Sequence, residues 1–316
     1  MKVFHVLRSG LFTTVQDMGR HGYLKYGVPV SGAMDKFSLV AANSLVGNEM
    51  GQAMLEMTLI GPELQALTKT QIAVTGGSIP LTINEQDVPM WRTLSIQKDD
   101  VVSFGKVESG CRAYLSIRGG LNTPMVLGSR STYTRGGFGG ISGRQLRVGD
   151  IIEGIEVSPL KSECLMPCNL IPRFTESVEI DVTLGPQYDM FTEEGINTFF
   201  SNQYKITPES DRMGYRLDGP KIEHKGKTDI VSDGLLPGAI QVPKNGKPIV
   251  LMQDAQTTGG YPKITVVTTP DIDILGQAKP GNTIRFAQVT VQQAHTKILE
   301  YCKMLNNLSE MLIRKE

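Results

Sequence analysis

The stretch Gln253-Asp254-Ala255-Gln256-Thr257-Thr258-Gly259-Gly260-Tyr261-Pro262 lies between two apolar runs, residues 248–252 and 264–267. Both runs are rich in Val, Ile and Leu and have the length of strands, so they predict two strands joined by this segment. The segment carries two amides, a carboxylate, two hydroxyls, a phenol and two glycines that allow close backbone approach. This inventory favours the binding of a small polar molecule. A surface loop stabilised by Asx and hydroxyl turns is the alternative.

The rest of the chain is also rich in strand-like segments separated by turn residues. Many short strands with few helices predict a mainly β fold, a barrel or a sandwich, and argue against a parallel α/β sheet. The predicted strands are 55–60, 71–75, 91–96, 101–104, 112–117 and 178–184.

Three helices are predicted between and after these strands. The first follows Asp35, which can cap it, and ends at Gly47. A short second helix passes through Ile196 and Phe199. The third occupies residues 290–316, with Thr290 and Gln293 as a capping box and an apolar stripe along one side.

The length of 316 residues predicts two domains of about 150 residues each. Pro159, Pro167 and Pro172 lie in a stretch without periodicity, where we place the boundary. The predicted domains are 1–165 and 175–289, followed by the C-terminal helix. A weak internal echo, in which 59–62 resembles 217–220 and 148–152 resembles 280–284, is consistent with a duplicated β domain.

Composition excludes several classes of protein. Lys+Arg and Asp+Glu are both 32, and this neutral balance argues against a nucleic-acid or anionic-membrane partner. No run approaches the ~18 apolar residues of a membrane helix, and the N-terminus does not resemble a signal peptide. We therefore expect a soluble cytoplasmic protein. Its four cysteines are too few for a disulfide framework and are expected to be reduced.

Polar side chains are also concentrated in the first forty residues. Gln16, Asp17 and Arg20 place an amide, an acid and a cation within five positions, in a segment that glycines interrupt too often for a helix. A structural Asp17–Arg20 pair is the simpler interpretation. Further along, residues 127–144 combine many glycines with Arg130, Arg135 and Arg144, which favours either a carboxylate or phosphate site or a mobile loop.

The sequence lacks the signatures of several enzyme classes. None of its four histidines accompanies a Gly-x-Ser-x-Gly elbow, no metal-ligand cluster is apparent, and no P-loop motif is present. Sets of carboxylate, amide and arginine recur instead, in 16–20, 211–212 and 253–256. These sets suit recognition of an amide or carboxylate substrate and proton transfer by an aspartate.

Five of these stretches, in order, resemble the biotin-dependent carboxyltransferase / allophanate hydrolase subunit 2 family. They are Thr13-Thr14-Val15-Gln16-Asp17, Ser31-Gly32-Ala33-Met34-Asp35, Leu127-Gly128-Ser129-Arg130-Ser131-Thr132, Ser210-Asp211-Arg212-Met213-Gly214 and Gln256-Thr257-Thr258-Gly259-Gly260-Tyr261-Pro262. The resemblance extends from about residue 7 to about residue 286. It implies two cyclophilin-like β-barrel domains.

Within this family the chain resembles the 5-oxoprolinase members, which implies an activity and partners. The implied reaction is ATP-dependent opening of 5-oxo-L-proline to L-glutamate, in a complex with homologues of 5-oxoprolinase subunits A and B. ATP would phosphorylate the lactam oxygen, water would add, and the ring would open through γ-glutamyl phosphate. Because the chain lacks a nucleotide signature, ATP is expected to be bound by, or shared with, the partner subunits.

The resemblance also implies site residues at the matching motif positions. The expected catalytic residues are Asp254, Asp17 and Asp211, and no metal is expected. The expected substrate-binding residues are Gln16, Arg20, Ser31, Asp35, Arg130, Arg212, Gln256, Thr258 and Tyr261.

Two alternatives to the oxoprolinase remain open. One is a carboxyltransferase component of a urea carboxylase/allophanate hydrolase-like system, which would receive biotin on another protein because this chain has no Met-Lys-Met acceptor. The other is a regulatory protein that binds and antagonises a histidine-kinase inhibitor. The sequence does not determine the reaction, the roles of individual residues or the oligomeric state.

Overall fold

A computed structural model describes residues 1–315 of the chain. These residues form two compact units. The first comprises Met1–Arg20, Ser31–Phe174 and the described residues from Met304 onwards. The second comprises His21–Val30 and Thr175–Lys303.

The first unit is built from two large sheets, one two-stranded sheet and a helix. The elements, in chain order, are β1 Lys2–Arg8, β2 Phe12–Gln16, α1 Lys36–Leu45, β3 Met54–Thr58, β4 Glu63–Ala66, β5 Thr70–Ser78, β6 Leu81–Ile83, β7 Gln86–Asp87, β8 Thr93–Ile96, β9 Val101–Phe104, β10 Ser109–Ile117, β11 Ile151–Glu153 and β12 Glu163–Leu165. One large sheet has the strand order β11-β1-β4-β9-β6-β7 and the other β2-β3-β10-β5-β8.

Both sheets contribute side chains to one apolar core. Phe4 and Phe104 enter it from the first sheet, and Leu55, Val74 and Leu115 enter it from the second. Strands β5 and β10 are buried along almost their whole length, since α1 packs on them as well. Such double-sided burial explains why apolar residues occupy consecutive positions in both strands, at 72–74 and 113–115, instead of alternating.

Helix α1 begins at the predicted cap. The Asp35 side chain accepts a hydrogen bond from the Ser38 N–H at 2.9 Å, and Gly47 beyond the end is left-handed with φ +66°. All of its residues except Lys36 are buried. The polar ones among them are therefore bonded, and Asn43 donates to the carbonyls of Met50 and Gln52.

The second unit contains a closed seven-stranded barrel of order β13-β20-β17-β18-β15-β14-β21, closed by parallel pairing of β13 with β21. Its core includes Phe199 stacked on Phe286, with ring centroids 4.6 Å apart. The elements are β13 Ser177–Leu184, α2 Glu193–Ser201, β14 Gln203–Ile206, β15 Gly214–Asp218, β16 Asp233–Gly234, β17 Ala239–Gln241, β18 Ile249–Leu251, β19 Thr258–Gly259, β20 Lys263–Val267, α3 Thr269–Gln277, β21 Thr283–Gln288 and α4 Val291–Asn307.

The C-terminal helix is shorter than the predicted 290–316. Thr290 and Gln293 form the predicted capping box, with N–H to side-chain distances of 2.8 and 3.2 Å. Helix α4 then ends at Asn307, and after one 3-10 turn the strand β22, Ile313–Lys315, pairs antiparallel with β12. Beyond the helix, Leu308 in the 3-10 turn is fully buried and residues 313–315 make sheet hydrogen bonds. Residue 316 of the predicted helix lies outside the described residues.

One part of the internal echo, 148–152 with 280–284, corresponds to a repeated turn that starts a strand. Before β11, Asp150 accepts from the Arg147 N–H at 2.8 Å, and before β21, Asn282 accepts from the Lys279 N–H at 3.0 Å. In each case the preceding glycine is left-handed, with φ +89° and φ +96°. The resemblance between 148–152 and 280–284 therefore has a local cause, an Asx-stabilised turn with one left-handed residue.

The mainly β fold with a barrel, few helices and a C-terminal helix is confirmed. Among the described residues, none of the helices combines the length and the apolar character needed to cross a bilayer.

Helix α4 is fixed to the barrel by an ion cluster that can be tested. Lys297 Nζ lies 2.7 Å from Asp181 on β13 and 2.7 Å from the buried Asp271 on α3. Burial opposes the charge, but the hydrogen bonds to the two aspartates outweigh it and raise the pKa of Lys297. Lys297→Met should lower the free energy of unfolding by about 1–2 kcal/mol, because Asp271 loses its cation while solvent screens part of the loss.

The control for this experiment is Lys303→Met, an exposed lysine of the same helix, which should change stability by less than about 0.5 kcal/mol in urea unfolding. A lysine whose pKa is higher in the folded than in the unfolded protein stabilises the fold at any pH below its unfolded-state pKa. This stabilisation is lost as the pH rises through its folded-state pKa. The difference between wild type and Lys297→Met should therefore persist at pH 7–9 and shrink only above the ordinary lysine pKa of about 10.4. If Lys297→Met and Lys303→Met changed the free energy of unfolding equally, the ion cluster would not stabilise the protein.

Candidate functional site

The Asp17 carboxylate holds together the predicted polar residues of the first unit. It follows β2 and is buried, and its Oδ1 accepts from the Gly19 N–H at 2.8 Å and from the hydroxyls of Ser129 and Ser131 at 2.7 and 2.5 Å. Its Oδ2 accepts from the Arg130 N–H at 2.6 Å. Four donors on one carboxylate make a strong, directional anchor. Asp17 therefore ties segment 129–131 to the end of β2.

Arg20 braces the same segment and is fully buried. Its guanidinium donates to the carbonyl oxygens of Val126 at 3.3 Å and Ser131 at 2.7 Å, and lies 4.8 Å from the centre of the Phe138 ring. A guanidinium suits this place because it carries several donors in one plane and stacks on aromatic rings. The motif thus uses the acid and the cation at 17 and 20 to shape one loop.

Two neutral side chains, Gln16 and Ser31, each have an oxygen atom without a hydrogen-bond partner among the described residues. Gln16 donates through Nε2 to the Thr14 hydroxyl at 3.0 Å and the Thr132 carbonyl at 3.2 Å, but its Oε1 has no hydrogen-bond partner among the described residues. The Ser31 hydroxyl has none either. Both residues are fully buried. Since buried polar atoms are nearly always paired, each of these two oxygens has a hydrogen-bonding capacity that the described residues leave unused.

Ser31 and Gly32 pass close to the Asp17 segment. Both residues are left-handed, with φ +54° and φ +84°. A Cβ on Gly32 would lie 2.8 Å from the backbone of Gly19, so only glycine fits at that position. The next residue, Ala33, donates its N–H to the Asp17 carbonyl at 2.9 Å.

Sequence reasoning missed a buried network beneath this segment. The Glu56 carboxylate on β3 accepts from the Met34 N–H at 2.8 Å and from the Tyr114 hydroxyl at 2.9 Å, with Arg112 Nε 3.7 Å away. The Tyr114 hydroxyl in turn accepts from the Asp35 N–H at 2.9 Å. A carboxylate on a strand with no adjacent motif gives little signal in the sequence. Its strand-centre position, where a charge is costly, was the available clue.

The glycine-rich segment is ordered by tight turns and divides its three arginines. Arg144 forms a two-pronged ion pair with Asp150 at 2.8 Å, and this hydrogen bonding lowers the pKa of the aspartate. Arg135 is exposed. The Arg130 side chain is half-buried and makes no ion pair within the described part of the chain. Of the three, Arg130 lies beside the Asp17 anchor and is the guanidinium suited to bind an anion.

In the second unit, Arg212 and Asp254 form a buried bidentate pair. Nε and Nη2 of the arginine lie 2.8 and 3.2 Å from the two carboxylate oxygens, and both side chains are at most 7% exposed. The backbone reinforces the pair, since the Asp254 N–H donates to the Arg212 carbonyl at 2.8 Å. The opening stretch is thereby fastened to the segment that precedes β15.

The remaining predicted residues of this unit lie nearer the surface. Asp211 accepts from the Met213 N–H at 2.8 Å in an Asx turn, and Gln256, Thr258 and Tyr261 are exposed. Thr258 belongs to the two-residue strand β19, which pairs with β16. The structure therefore gathers 211, 212 and 254 closely, while 256, 258 and 261 line the exposed part of the same loop.

A buried lysine next to this loop was not among the predicted residues. The Lys263 side chain is only 5% exposed, and its ammonium lies 2.5 Å from Asp233 and 3.3 Å from the Gly234 carbonyl. The hydrogen bond with Lys263 lowers the pKa of Asp233. This ion pair fastens β16, and hence its partner β19, to the barrel.

Each unit also contains a larger cavity away from these residues. That of the first unit, about 660 Å³, borders Trp91, Glu108 and Arg173, and that of the second, about 580 Å³, borders Lys221 and His224. None of the predicted site residues lines either of them. The predicted residues thus form two groups, 16–35 with 130 in the first unit and 211–212 with 254–261 in the second. Their roles in binding and catalysis stay predictions.

The model of the carboxyltransferase domain, subdomains A and B, matches residues 26–288 of this chain. The chain belongs to this carboxyltransferase family. The match includes Ser31, Asp35, Arg130 and all predicted residues of the second unit, whereas Gln16, Asp17 and Arg20 precede it.

Among relatives of this carboxyltransferase chain, the C subunit of the Escherichia coli 5-oxoprolinase is 35% identical over 92% of both chains. The urea amidolyase of Lachancea kluyveri is 37% identical over 92% of this chain. The crystal structure of the Kluyveromyces lactis urea amidolyase superposes with a TM-score of 0.92 at 35% identity and covers 98% of this chain. The chain spans 17% of the length of the Lachancea protein and 20% of the Kluyveromyces chain.

The ion pair of the second unit gives a prediction for this carboxyltransferase chain. Asp254→Asn should lower the free energy of unfolding by about 3 kcal/mol or more, because it leaves the buried Arg212 guanidinium without a counter-charge. Urea unfolding measures the loss. Asp229→Asn, an exposed aspartate of the same unit, is the matched control and should change stability by less than about 0.5 kcal/mol. An Asp254→Asn variant as stable as wild type would contradict a buried, charged pair.

Proposed function

We propose that this chain is a component of an ATP-dependent 5-oxoprolinase complex that opens 5-oxo-L-proline to L-glutamate. The observation that carries the proposal is the match to the C subunit of the E. coli 5-oxoprolinase, which covers 92% of each chain. A second protein of that name, from Haemophilus influenzae, is 34% identical over 89% of each chain. The proposed partners are homologues of 5-oxoprolinase subunits A and B, and ATP binds on them or is shared with them.

The chemistry of the first-unit group suits this substrate. 5-Oxoproline carries a lactam N–H, a lactam carbonyl and a carboxylate. The uncommitted Gln16 Oε1 can accept the N–H, the Ser31 hydroxyl can donate to an oxygen, and the Arg130 guanidinium can take the carboxylate. Fixed neutral groups that match a substrate amide discriminate well, since a wrong ligand leaves them buried and unpaired.

In the second unit, the proposed catalytic role of Asp254 takes account of its pairing. Besides fixing the loop through Arg212 at 2.8 Å, the Asp254 carboxylate is proposed to accept a proton from the reacting groups. Asp17 is bound by four donors and Asp211 by backbone N–H groups. Both are therefore proposed to shape the site, with proton transfer assigned first to Asp254.

A second candidate function is supported by a separate observation. The urea amidolyase relatives are as similar in sequence, and the Kluyveromyces structure has the same fold with a TM-score of 0.92. On this alternative the chain is the carboxyltransferase component of a urea carboxylase-like system. A urea amide would then occupy the same neutral groups, and biotin would be delivered by another protein.

The proposed function predicts activity only in the complex. Wild-type chain purified together with its two proposed partners should release glutamate from 5-oxoproline in step with ATP hydrolysis, and the chain alone should show neither reaction. A second assay tests the alternative function: urea, bicarbonate and a biotin carboxylase are supplied in place of 5-oxoproline. ATP hydrolysis that depends on urea and is blocked by avidin, without glutamate release, would replace the first proposal by the second.

Arg130 gives a residue-level test in the same complex. Arg130→Met should lower kcat/KM for 5-oxoproline by about tenfold or more, chiefly through KM, because a carboxylate loses its guanidinium partner while Asp17 keeps the Arg130 N–H. Arg147→Met removes an exposed arginine of the same unit and should leave both constants within about twofold. If Arg130→Met and Arg147→Met had the same kcat/KM, Arg130 would not bind the substrate.

A further inference from the structure

Ser31 combines two features that rarely occur together in a buried residue. Its backbone is left-handed at φ +54°, which costs free energy for a residue other than glycine, and its buried hydroxyl has no partner among the described residues. A strained backbone persists only where its surroundings determine it from several sides. The residues that do so here belong to three different strands or strand ends.

Three consecutive backbone N–H groups after the turn are each fixed by a different element. The Ala33 N–H bonds the Asp17 carbonyl after β2, the Met34 N–H bonds Glu56 on β3, and the Asp35 N–H bonds the Tyr114 hydroxyl on β10. The distances are 2.9, 2.8 and 2.9 Å. The segment therefore enters α1 along a single path, and the turn at 31–32 has no room to relax.

Burying the Glu56 carboxylate costs free energy, which suggests that holding the segment 33–35 in place serves the site. Its side chain is 1% exposed; Oε2 accepts from the Met34 N–H and the Tyr114 hydroxyl, and Oε1 lies 3.7 Å from Arg112 Nε. An apolar pair would pack this position at lower cost, since a buried ion pair seldom adds net stability. Burial, followed by the charges of Glu56 and Asp35, raises the pKa of Tyr114 well above its ordinary value, which keeps the phenol proton available to Glu56.

We propose that Glu56 and Tyr114 are positioning residues, which hold the backbone of Met34 and Asp35 so that Ser31 stays left-handed and presents its hydroxyl to the substrate. Neither residue touches the substrate. The identity of the substrate, a small molecule with an amide N–H beside a carbonyl, rests on the proposed function. That Glu56 and Tyr114 hold the segment in place does not depend on the proposed function.

The first arm of the test needs no activity. Hydrogen exchange of the segment 31–35 is measured by mass spectrometry in the full chain, for wild type, Tyr114→Phe and Glu56→Gln. Tyr114→Phe removes one anchor and should speed exchange in this segment by about tenfold or more. Glu56→Gln keeps one acceptor oxygen and the side-chain shape, and it should give a smaller increase.

Thr93→Val is the matched control. It deletes a buried hydroxyl that bonds the Leu45 carbonyl at 2.6 Å, at the opposite end of the same helix α1. It should leave exchange in 31–35 within about twofold of wild type. Unchanged exchange in Tyr114→Phe, or an equal increase in Thr93→Val, would overturn the positioning role.

The second arm is a double-mutant cycle on kcat/KM in the assembled complex. Ser31→Ala and Tyr114→Phe should each lower kcat/KM by about tenfold, and the double variant should be no more than about twofold below the poorer single variant, since Tyr114 acts through Ser31. If the decreases in kcat/KM of the two single variants multiply in the double variant, the proposal is refuted. It is also refuted if Thr93→Val lowers kcat/KM as much as Tyr114→Phe at equal melting temperature, since the effect is then a general structural one.

The two arms separate the inference from the proposed function. If the wild-type complex turns over neither 5-oxoproline nor urea, the proposed function fails while the exchange arm still decides whether Glu56 and Tyr114 fix the segment. If turnover is present and the cycle is additive, the proposed function stands and the positioning role is wrong.

Discussion

A buried carboxylate has to be surrounded by donors, and the Asp17 carboxylate meets this requirement by drawing a distant loop onto the end of β2. Its four donors come from residue 19 and from residues 129–131, more than a hundred positions later. The conformation of the first motif, the course of the glycine-rich segment and the place of Arg20 all depend on this contact. Asp254 has the same function in the second unit, where it fixes the opening stretch to Arg212.

These anchors divide the motif residues into two kinds. The charged ones, Asp17, Arg20 and Asp254, are bonded to the protein itself, whereas the oxygen atoms of Gln16 and Ser31 are buried without a partner among the described residues. Buried charges that are bonded within the protein define shape well, because removing either partner is costly. Neutral oxygens that are held rigidly by such a frame define what binds, because only a ligand with matching donors and acceptors satisfies them.

The sequence predicted those features that depend on neighbours along the chain. The cap at Asp35, the capping box at Thr290 and the strand 101–104 agree with the structure because each is set by local patterns. Helix α3 was not predicted, although Thr268 and Pro270 give a start signal directly after the strand-like run 264–267. The Glu56 network and the Arg212–Asp254 pair could not be predicted, since strand pairing across 58 and 42 positions creates them.

The division between charged anchors and neutral binding groups also explains how one fold serves relatives with different names. The E. coli 5-oxoprolinase component and the Lachancea urea amidolyase share more than a third of the aligned residues with this chain, and the substrates in those names, 5-oxoproline and urea, both present an amide N–H beside a carbonyl. A frame built from satisfied ion pairs can stay unchanged while the groups around the amide change. Arg130 is the informative position, because a carboxylate is present in 5-oxoproline and absent from urea. Its half-buried guanidinium makes no ion pair among the described residues while its own N–H is bonded to Asp17, so it is the group through which the two proposed substrates can be told apart.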